Sequence, residues 1–397
     1  MALQHRKSVI PVLLTYFIDY FGFGIVFLFF GPLFLKENNH LFQTGPALAT
    51  MGFLIFPLAQ SLGAPIFGIL SDKIGRKKTF LLSIGGTTFG NCLMGFSFYH
   101  ENFPLLLIGR LLAGFFAGNL TLCLAALADL SHNAKEKLHN FSLLATVGGL
   151  SYICATLFGN LFTKVSFATP FWIGAILGLI NIILLLIFFK ETHVVRHTPF
   201  GVWKIILSIT KLFKDRELNH LYTSFFFFMM SWVPSLQYLP GFLTNRLSLS
   251  DQATFVLLTL MGALWSLSNG ILSRFSLGVS NRSLFQLLLL LSSFFVLAGS
   301  IPFPSLFIAS FIVINIGAAL SWTFLYTGIS NHASLSIQGE VLGVSQALGS
   351  LGAMVGFGLQ HLITLYSVSH YYIFSAVVVF LATLSIGSLE FRRLRIK

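Results

Sequence analysis

The sequence predicts an all-α membrane protein with twelve transmembrane helices in two six-helix bundles. The first observation behind this prediction is composition: 55% of the 397 residues are hydrophobic and 9% are charged, with a mean hydropathy of +0.85. Soluble domains carry about 25% charged residues, so most of this surface must face lipid, and a soluble enzyme is excluded. The second is a series of twelve apolar stretches, each close to the roughly 20 residues that cross a bilayer as a helix.

The apolar stretches set the approximate positions of the helices. A β-barrel would need alternating polar and apolar residues, whereas the run from Leu284 to Gly299 is almost continuously apolar. A cleaved signal peptide is the alternative for the first stretch, but this stretch is too long and contains Asp19. The predicted spans are 9–35, 45–70, 79–99, 103–130, 141–163, 169–189, 220–244, 252–273, 283–301, 305–329, 340–366 and 370–389. The three cysteines, to which we assign no chemistry, all fall inside spans: Cys92, Cys123 and Cys154.

The basic residues predict the orientation of the chain. The net charge of +12 could indicate nucleic acid, but the Lys and Arg residues cluster in alternate loops, as the positive-inside rule requires. Only Lys36, Lys164 and Arg246 fall in outer loops, and Arg110 lies within a span. We therefore expect a multi-pass protein of the inner membrane, with both termini cytoplasmic and no nucleic-acid partner.

The longest charged interruption divides the chain into two halves. We place an N-terminal bundle at 1–189, a cytoplasmic linker at 190–219 and a C-terminal bundle at 220–397. Apolar residues recur on one face between Val202 and Phe213, which is typical of an amphipathic helix lying on a membrane surface. A plain linker explains this pattern, and a regulatory helix is the alternative.

A short repeat links the two halves. GILSDKIGRKK spans Gly68 to Lys78 between the second and third spans, and GILSRFSLGVSNR spans Gly270 to Arg282 between the eighth and ninth. An identical tetrapeptide at equivalent positions is typical of a parallel internal repeat, which is a transporter architecture. In the first copy, a carboxylate and a guanidinium fork four residues apart can form a contact that opens and closes. Charges that only set the topology are the alternative.

The loop from Gly68 to Lys78 resembles the loop 2–3 signature of the major facilitator superfamily. The matching functional positions are Gly68, Asp72, Gly75 and Arg76. Further similarities place the chain near the drug–proton antiporter branch that contains the tetracycline-efflux proteins. They are DYFGFG at 19–24, Arg110 with Gly114 and Gly118, and QGEVLGVSQALGSLG at 338–352.

The resemblance implies two bundles around a cavity that opens alternately to each side, in a monomer. It also implies that Asp129, at the end of the fourth span, joins Asp72 and Arg76 in a gate; we call these three residues the latch. One departure matters, because the branch carries a Gly-Pro element in its fifth helix where this chain has Ala155 and Thr156. That element is associated with export, so its loss favours uptake as the alternative.

Two ionisable residues inside spans are the candidates for proton coupling. Asp19 lies about ten residues into the first span, or ~15 Å deep at 1.5 Å per residue. A carboxylate there costs roughly 2.5–3.5 kcal/mol on insertion scales, and desolvation favours the protonated form. Arg110 must point into the bundle, and the resemblance links it to proton coupling. For each residue a purely structural role is the alternative.

The second half offers neutral and aromatic candidates for the substrate cavity. Aromatic residues at helical spacing more often pack in a core or face lipid, which is the alternative for each of them. The six candidates are Gln237, Tyr238, Trp265, Asn269, Asn315 and Trp322.

Together these observations predict a secondary transporter that exports a small organic molecule with proton coupling. The alternative is proton-coupled uptake or facilitated transport of a metabolite or a siderophore-like compound. The sequence contains no P-loop, no HExxH motif and no paired intramembrane acids, so we expect no enzyme activity, no cofactor and no metal. The expected partners are the substrate, protons and the lipid bilayer.

Overall fold

The computed structural model is α-helical almost throughout. It describes residues 2–35, 46–193, 213–245, 247–272, 281–300, 303–364 and 368–393. A five-residue π-helical turn, Ser268–Leu272, follows α9, and a short 3-10 turn, Leu335–Ile337, precedes α12. The helices are α1 Ala2–Leu35, α2 Pro46–Ile74, α3 Arg76–Tyr99, α4 Phe103–Phe116, α5 Asn119–Asp129, α6 Ala134–Val165, α7 Thr169–Phe188, α8 Arg216–Asn245, α9 Asp251–Leu267, α10 Asn281–Ser300, α11 Pro304–Asn331, α12 Gln338–Thr364 and α13 Val368–Arg393.

The helices correspond to the predicted spans. Ten stretches of the described residues are long and apolar enough to cross a membrane. The helices α3 and α8 are not among them, although at 24 and 30 residues they are long enough. Both carry several polar residues among their apolar ones, which lowers their mean hydropathy. The predicted fold class, an all-α membrane protein, is confirmed, and the three cysteines on α3, α5 and α6 are free.

The fourth span differs from the prediction, because it is two helices instead of one. The helix α4 ends at Phe116, and α5 begins at Asn119. Between them Ala117 has a ψ of 54°, which no α-helix allows. A Cβ atom on Gly118 would lie 2.8 Å from Cβ of Phe67, so α2 packs directly against the break. An apolar run does not reveal such a break, since hydropathy does not report backbone direction.

Two groups of helices face each other across a central cavity; we call α1–α7 the first group and α8–α13 the second. In the first group α1 packs on α6 and α7, while α3 packs on α4 and α7. In the second group α8 packs on α12 and α13, while α10 packs on α11 and α13. The groups meet mainly where α2 packs on α12 and where α6 packs on α9. The exact bundle boundaries stay a prediction. The amphipathic segment predicted within 202–213 lies almost wholly outside the described residues, as does 273–280 of the second repeat copy.

Candidate functional site

A cavity of about 300 Å³ lies between the two groups of helices. Helices of the first group supply most of its polar side chains, and helices of the second group supply a wall of indole and phenol rings. The polar residues on its surface are Asp19, Gln60, Thr87, Thr88, Asn91, Arg110, Asn119, Gln237, Gln346 and Ser350. The cavity therefore offers an ionisable, hydrogen-bonding side opposite an aromatic side.

Asp19 lies on the cavity wall, where α1 passes the break in the fourth span. Its Oδ1 accepts a hydrogen bond of 2.7 Å from Nδ2 of Asn119. Asn119 is buried and is the first residue of α5, so the break fixes the position of the donor. On the same helix the rings of Tyr16 and Tyr20 stack at 5.3 Å and also line the cavity. The carboxyl group thus has one amide partner in a largely aromatic environment.

Arg110 lies on α4 and faces the same cavity. Its side chain is buried, with 8% of the residue exposed, and its Cζ lies 5.3 Å from the ring centroid of Phe56 on α2. This is a cation–π distance. The structure brings Asp19 and Arg110 to one cavity, but the hydrogen bond of Asp19 goes to Asn119.

The aromatic wall belongs to the second group of helices. Trp265 and Trp322 both line the cavity, and their ring centroids are 6.3 Å apart. Trp232 stacks on Trp265 at 5.7 Å, and Tyr326 meets Trp322 edge-on at 4.6 Å. Gln237 adds a polar group to this wall. The rings support one another, so the wall is preorganised to contact a flat, apolar ligand surface.

Three of the six predicted cavity residues lie elsewhere. Among the described residues that line the cavity, Tyr238, Asn269 and Asn315 are not found. Tyr238 follows Gln237 on one helix, and consecutive helical residues point about 100° apart. Asn269 lies behind the wall, where Nδ2 donates to the Trp265 carbonyl oxygen at 3.1 Å and Oδ1 accepts from Thr323. Asn269 lies in the π-helical turn, and its side chain bonds to neighbouring helix residues instead of lining the cavity.

A network of amide side chains holds the break in the fourth span. Nε2 of Gln60 on α2 and Nε2 of Gln346 on α12 both donate to the Ala117 carbonyl oxygen, at 3.0 and 2.8 Å. Oε1 of Gln346 accepts from the Thr121 backbone N–H at 3.1 Å. Ser350 on α12 donates to Oε1 of Gln60 at 2.7 Å. Sequence reasoning assigned no role to Gln60 and Ser350. The signal in the sequence was that both are neutral polar residues within apolar spans.

The latch forms where α2 ends and α3 begins. Arg76 is fully buried. Its Nη1 donates to Oδ1 of Asp72 at 2.6 Å, while Nε and Nη2 donate to the two carboxylate oxygens of Asp129 at 2.8 and 3.2 Å. Buried guanidinium groups require such bidentate partners, because an unpaired buried charge is strongly unfavourable. The three residues therefore meet as the resemblance implies.

Asp72 also reaches the second group of helices. Its Oδ1 accepts from the backbone N–H of Gly339 at 3.0 Å, and its Oδ2 accepts from that of Glu340 at 2.9 Å. These N–H groups belong to the first turn of α12, where backbone N–H groups have no acceptor within the helix. A Cβ atom on Gly68 would lie 2.1 Å from the Gly339 carbonyl oxygen, so only glycine permits this approach. The latch thus holds the two groups together at this end.

The start of α3 contains one predicted residue and two that sequence reasoning missed, Glu191 and His193. The predicted residue, Gly75, precedes the helix with a φ of 98°, a conformation that favours glycine. The carboxylate of Glu191 accepts from the backbone N–H groups of Arg76 and Lys77 at 2.9 and 3.1 Å. Nδ1 of His193 lies 3.4 Å from Nη2 of Arg76. A signal existed in the sequence, since Glu191 is the first acid after the sixth span.

Membrane-crossing helices in two groups around a central cavity are the architecture of a membrane transport protein. A sequence model of the Major Facilitator Superfamily matches residues 12–357. The chain belongs to this superfamily, whose members are transporters and not enzymes.

Relatives and solved structures agree with this assignment. The chain is 34% identical over 191 residues to the class H tetracycline resistance protein of Pasteurella multocida, covering 47% of this chain and 46% of the relative. It is 27% identical over 178 residues to the quinolone resistance protein NorA of Staphylococcus aureus, covering 44% and 45%. The matched region spans about half the length of these relatives. The predicted resemblance to the tetracycline-efflux branch is confirmed.

Solved structures share the fold along nearly the whole chain. The human organic anion transporter MFSD10 matches with a TM-score of 0.82 at 17% identity, covering 96% of this chain and 99% of that one. The E. coli fucose:proton symporter FucP matches with a TM-score of 0.74 at 13% identity, covering 96% and 97%. The predicted major facilitator fold is confirmed.

Proposed function

We propose that this protein exports a small organic molecule across the inner membrane in exchange for protons, as a monomer with both termini cytoplasmic. The observation that carries the proposal is the carboxyl group of Asp19 on the wall of the cavity, bonded to Asn119. The relatives named for tetracycline and quinolone resistance support export. We infer from the positive-inside rule that the latch end faces the cytoplasm.

The contacts around Asp19 suggest how a proton could drive the movement. The ionised carboxylate accepts the bond from Asn119, and a charge-assisted bond is about twice as strong as a neutral one. Protonation weakens the bond to Asn119, which is the first residue after the helix break. The break is bonded to α12 through Gln346. A change of charge at Asp19 therefore acts on the contact between the two groups of helices.

The second candidate is proton-coupled uptake or facilitated transport of a metabolite or siderophore-like compound. The observation that favours it is the missing Gly-Pro element. Here α6 is continuous from Ala134 to Val165, and Oγ1 of Thr156 lies 3.2 Å from Oγ1 of Thr259 on α9. A proline would supply no hydroxyl for this contact between the groups.

The direction of proton movement separates the two candidates. We would load purified protein into proteoliposomes of known orientation, impose a gradient of one compound at a time from a panel of tetracyclines, quinolones and siderophores, and record internal pH. Exchange predicts protons moving against the compound, and Asp19→Asn should abolish that signal while Tyr238→Phe, away from the cavity, retains it. Protons moving with the compound would establish symport, and flux without proton movement in the wild type would exclude coupling.

A further inference from the structure

Lys137 makes a second contact between the two groups of helices at the latch end. It is the fourth residue of α6, and 8% of it is exposed. Its Nζ donates to the carbonyl oxygen of Ser330 on α11 at 3.1 Å. In the sequence Lys137 is one of many basic residues assigned to the cytoplasmic side, but a charge that only sets topology does not need to be buried.

The position of Lys137 is unfavourable for its own helix. A cation in the first turn faces the positive end of the helix dipole, and lysine is almost never fully buried unless it is paired. Lys135, two residues earlier, is exposed and supplies the basic charge that the positive-inside rule requires in this loop. Burial of Lys137 is thus explained by its partner across the interface.

That partner is the C-terminal end of α11. Ser330 is the next-to-last residue of this helix, whose final carbonyl groups lack intrahelical donors and carry the negative end of the dipole. Nε2 of Gln338, the first residue of α12, donates to the same Ser330 oxygen at 3.0 Å and to that of Ala333 at 2.9 Å. The backbone N–H of Ala333 also donates to the Ser330 oxygen, at 3.3 Å. The ammonium group of Lys137 therefore adds a charged donor from the first group of helices to a helix end that local donors already cap.

Lys137 and Asp72 hold the same turn from opposite ends. Asp72 binds the positive N-terminus of α12, and Lys137 binds the negative C-terminus of α11. Both side chains come from the first group of helices, and each carries the charge that the helix end attracts. Asp129, which binds Arg76, also attracts the Lys137 ammonium electrostatically. The turn between α11 and α12 is therefore held at both of its helix ends.

We propose that Lys137 is a gating residue alongside the latch, and that the turn must be released by both Asp72 and Lys137 before the cavity opens at this end. The inference rests on the alternating movement in the proposed function, but it needs neither a known substrate nor a direction of transport. Lys137 acts by positioning the turn and does not touch the cavity surface.

Distances between spin labels test the proposal without substrate or a proton gradient. Ala134 and Leu335 would each be replaced by cysteine and labelled, in a chain whose three native cysteines have been removed. Both positions are exposed, and they lie on opposite sides of the contact. Lys137→Met should raise the ratio of long to short distances roughly threefold to tenfold, the range expected for a buried charge at a helix end. Lys137→Arg should keep the short distance, and Lys135→Met is the matched control.

Equal distance distributions for Lys137→Met and Lys135→Met would overturn the proposal, as would a Lys137→Arg variant as open as Lys137→Met. If Lys137→Met does not give a monodisperse protein, Lys137→Gln keeps a hydrogen-bond donor and removes only the charge. Its distances must then shift in the same way. Since no transport is measured, a negative result here is distinct from a failure of proton-coupled export.

Discussion

The carboxylate of Asp72 should protect the first turn of α12 from solvent. Asp72→Asn keeps the size of the side chain and one acceptor oxygen, but it removes the charge that meets Arg76, Gly339 and Glu340. The substituted residue lies in the first group of helices and the protected amides lie in the second. A change in exchange at α12 would therefore report the contact between the groups.

The expected magnitude follows from the bonds that are weakened. Hydrogen bonds to charged groups contribute about 1.5–3 kcal/mol each, and an anion at a partly buried helix N-terminus contributes up to ~2 kcal/mol. Arg76 keeps both oxygens of Asp129, so the variant does not leave it unpaired. A net loss of about 2 kcal/mol corresponds to a roughly 30-fold rise in the open population.

Hydrogen–deuterium exchange of the peptide 335–345 measures this rise, because protection reports the free energy of local opening. The matched control is Glu191→Gln, which removes the carboxylate at the start of α3 and should leave α12 unchanged. Turnover in proteoliposomes should fall in Asp72→Asn while substrate affinity stays the same. If exchange at 335–345 is the same in Asp72→Asn and wild type, the contact does not hold the two groups together.

Three further predictions concern the cavity and the interface. Asp19→Asn should remove proton-driven accumulation while leaving membrane insertion intact, and gradient dependence in that variant would contradict a coupling role. Gly68→Ala should raise exchange at the start of α12 at least tenfold, since a Cβ atom would lie 2.1 Å from the Gly339 oxygen; wild-type protection would show that the helices can move apart without cost. Trp265→Phe should alter the ranking of transported compounds by several-fold in KM, whereas Tyr238→Phe should not, and identical rankings would remove Trp265 from the binding surface.

The resemblance of the short loop after the second span predicts the latch without any knowledge of its geometry. Asp72 and Arg76 lie four residues apart in the sequence, so their side chains stay close together however the neighbouring helices pack. Asp129 is 53 residues from Arg76 in the chain, and only the resemblance connected the two. From the sequence alone, Lys137 belongs with the other basic residues of its loop, because sequence does not distinguish an exposed cation from a buried one.

The membrane-crossing helices and the family follow from the sequence, because apolar length and local motifs are properties of consecutive residues. The sequence also identifies Asp19 as exceptional, since a carboxyl group in an apolar run is unfavourable wherever the helix packs. The packing of the helices was needed to show that Asn119 is its partner and that the fourth span breaks at Ala117 and Gly118. It was also needed to show that Trp265 faces the cavity while Asn269 lies behind it. Partners and orientations depend on how helices rotate and cross, and those angles follow from packing between segments distant in the chain.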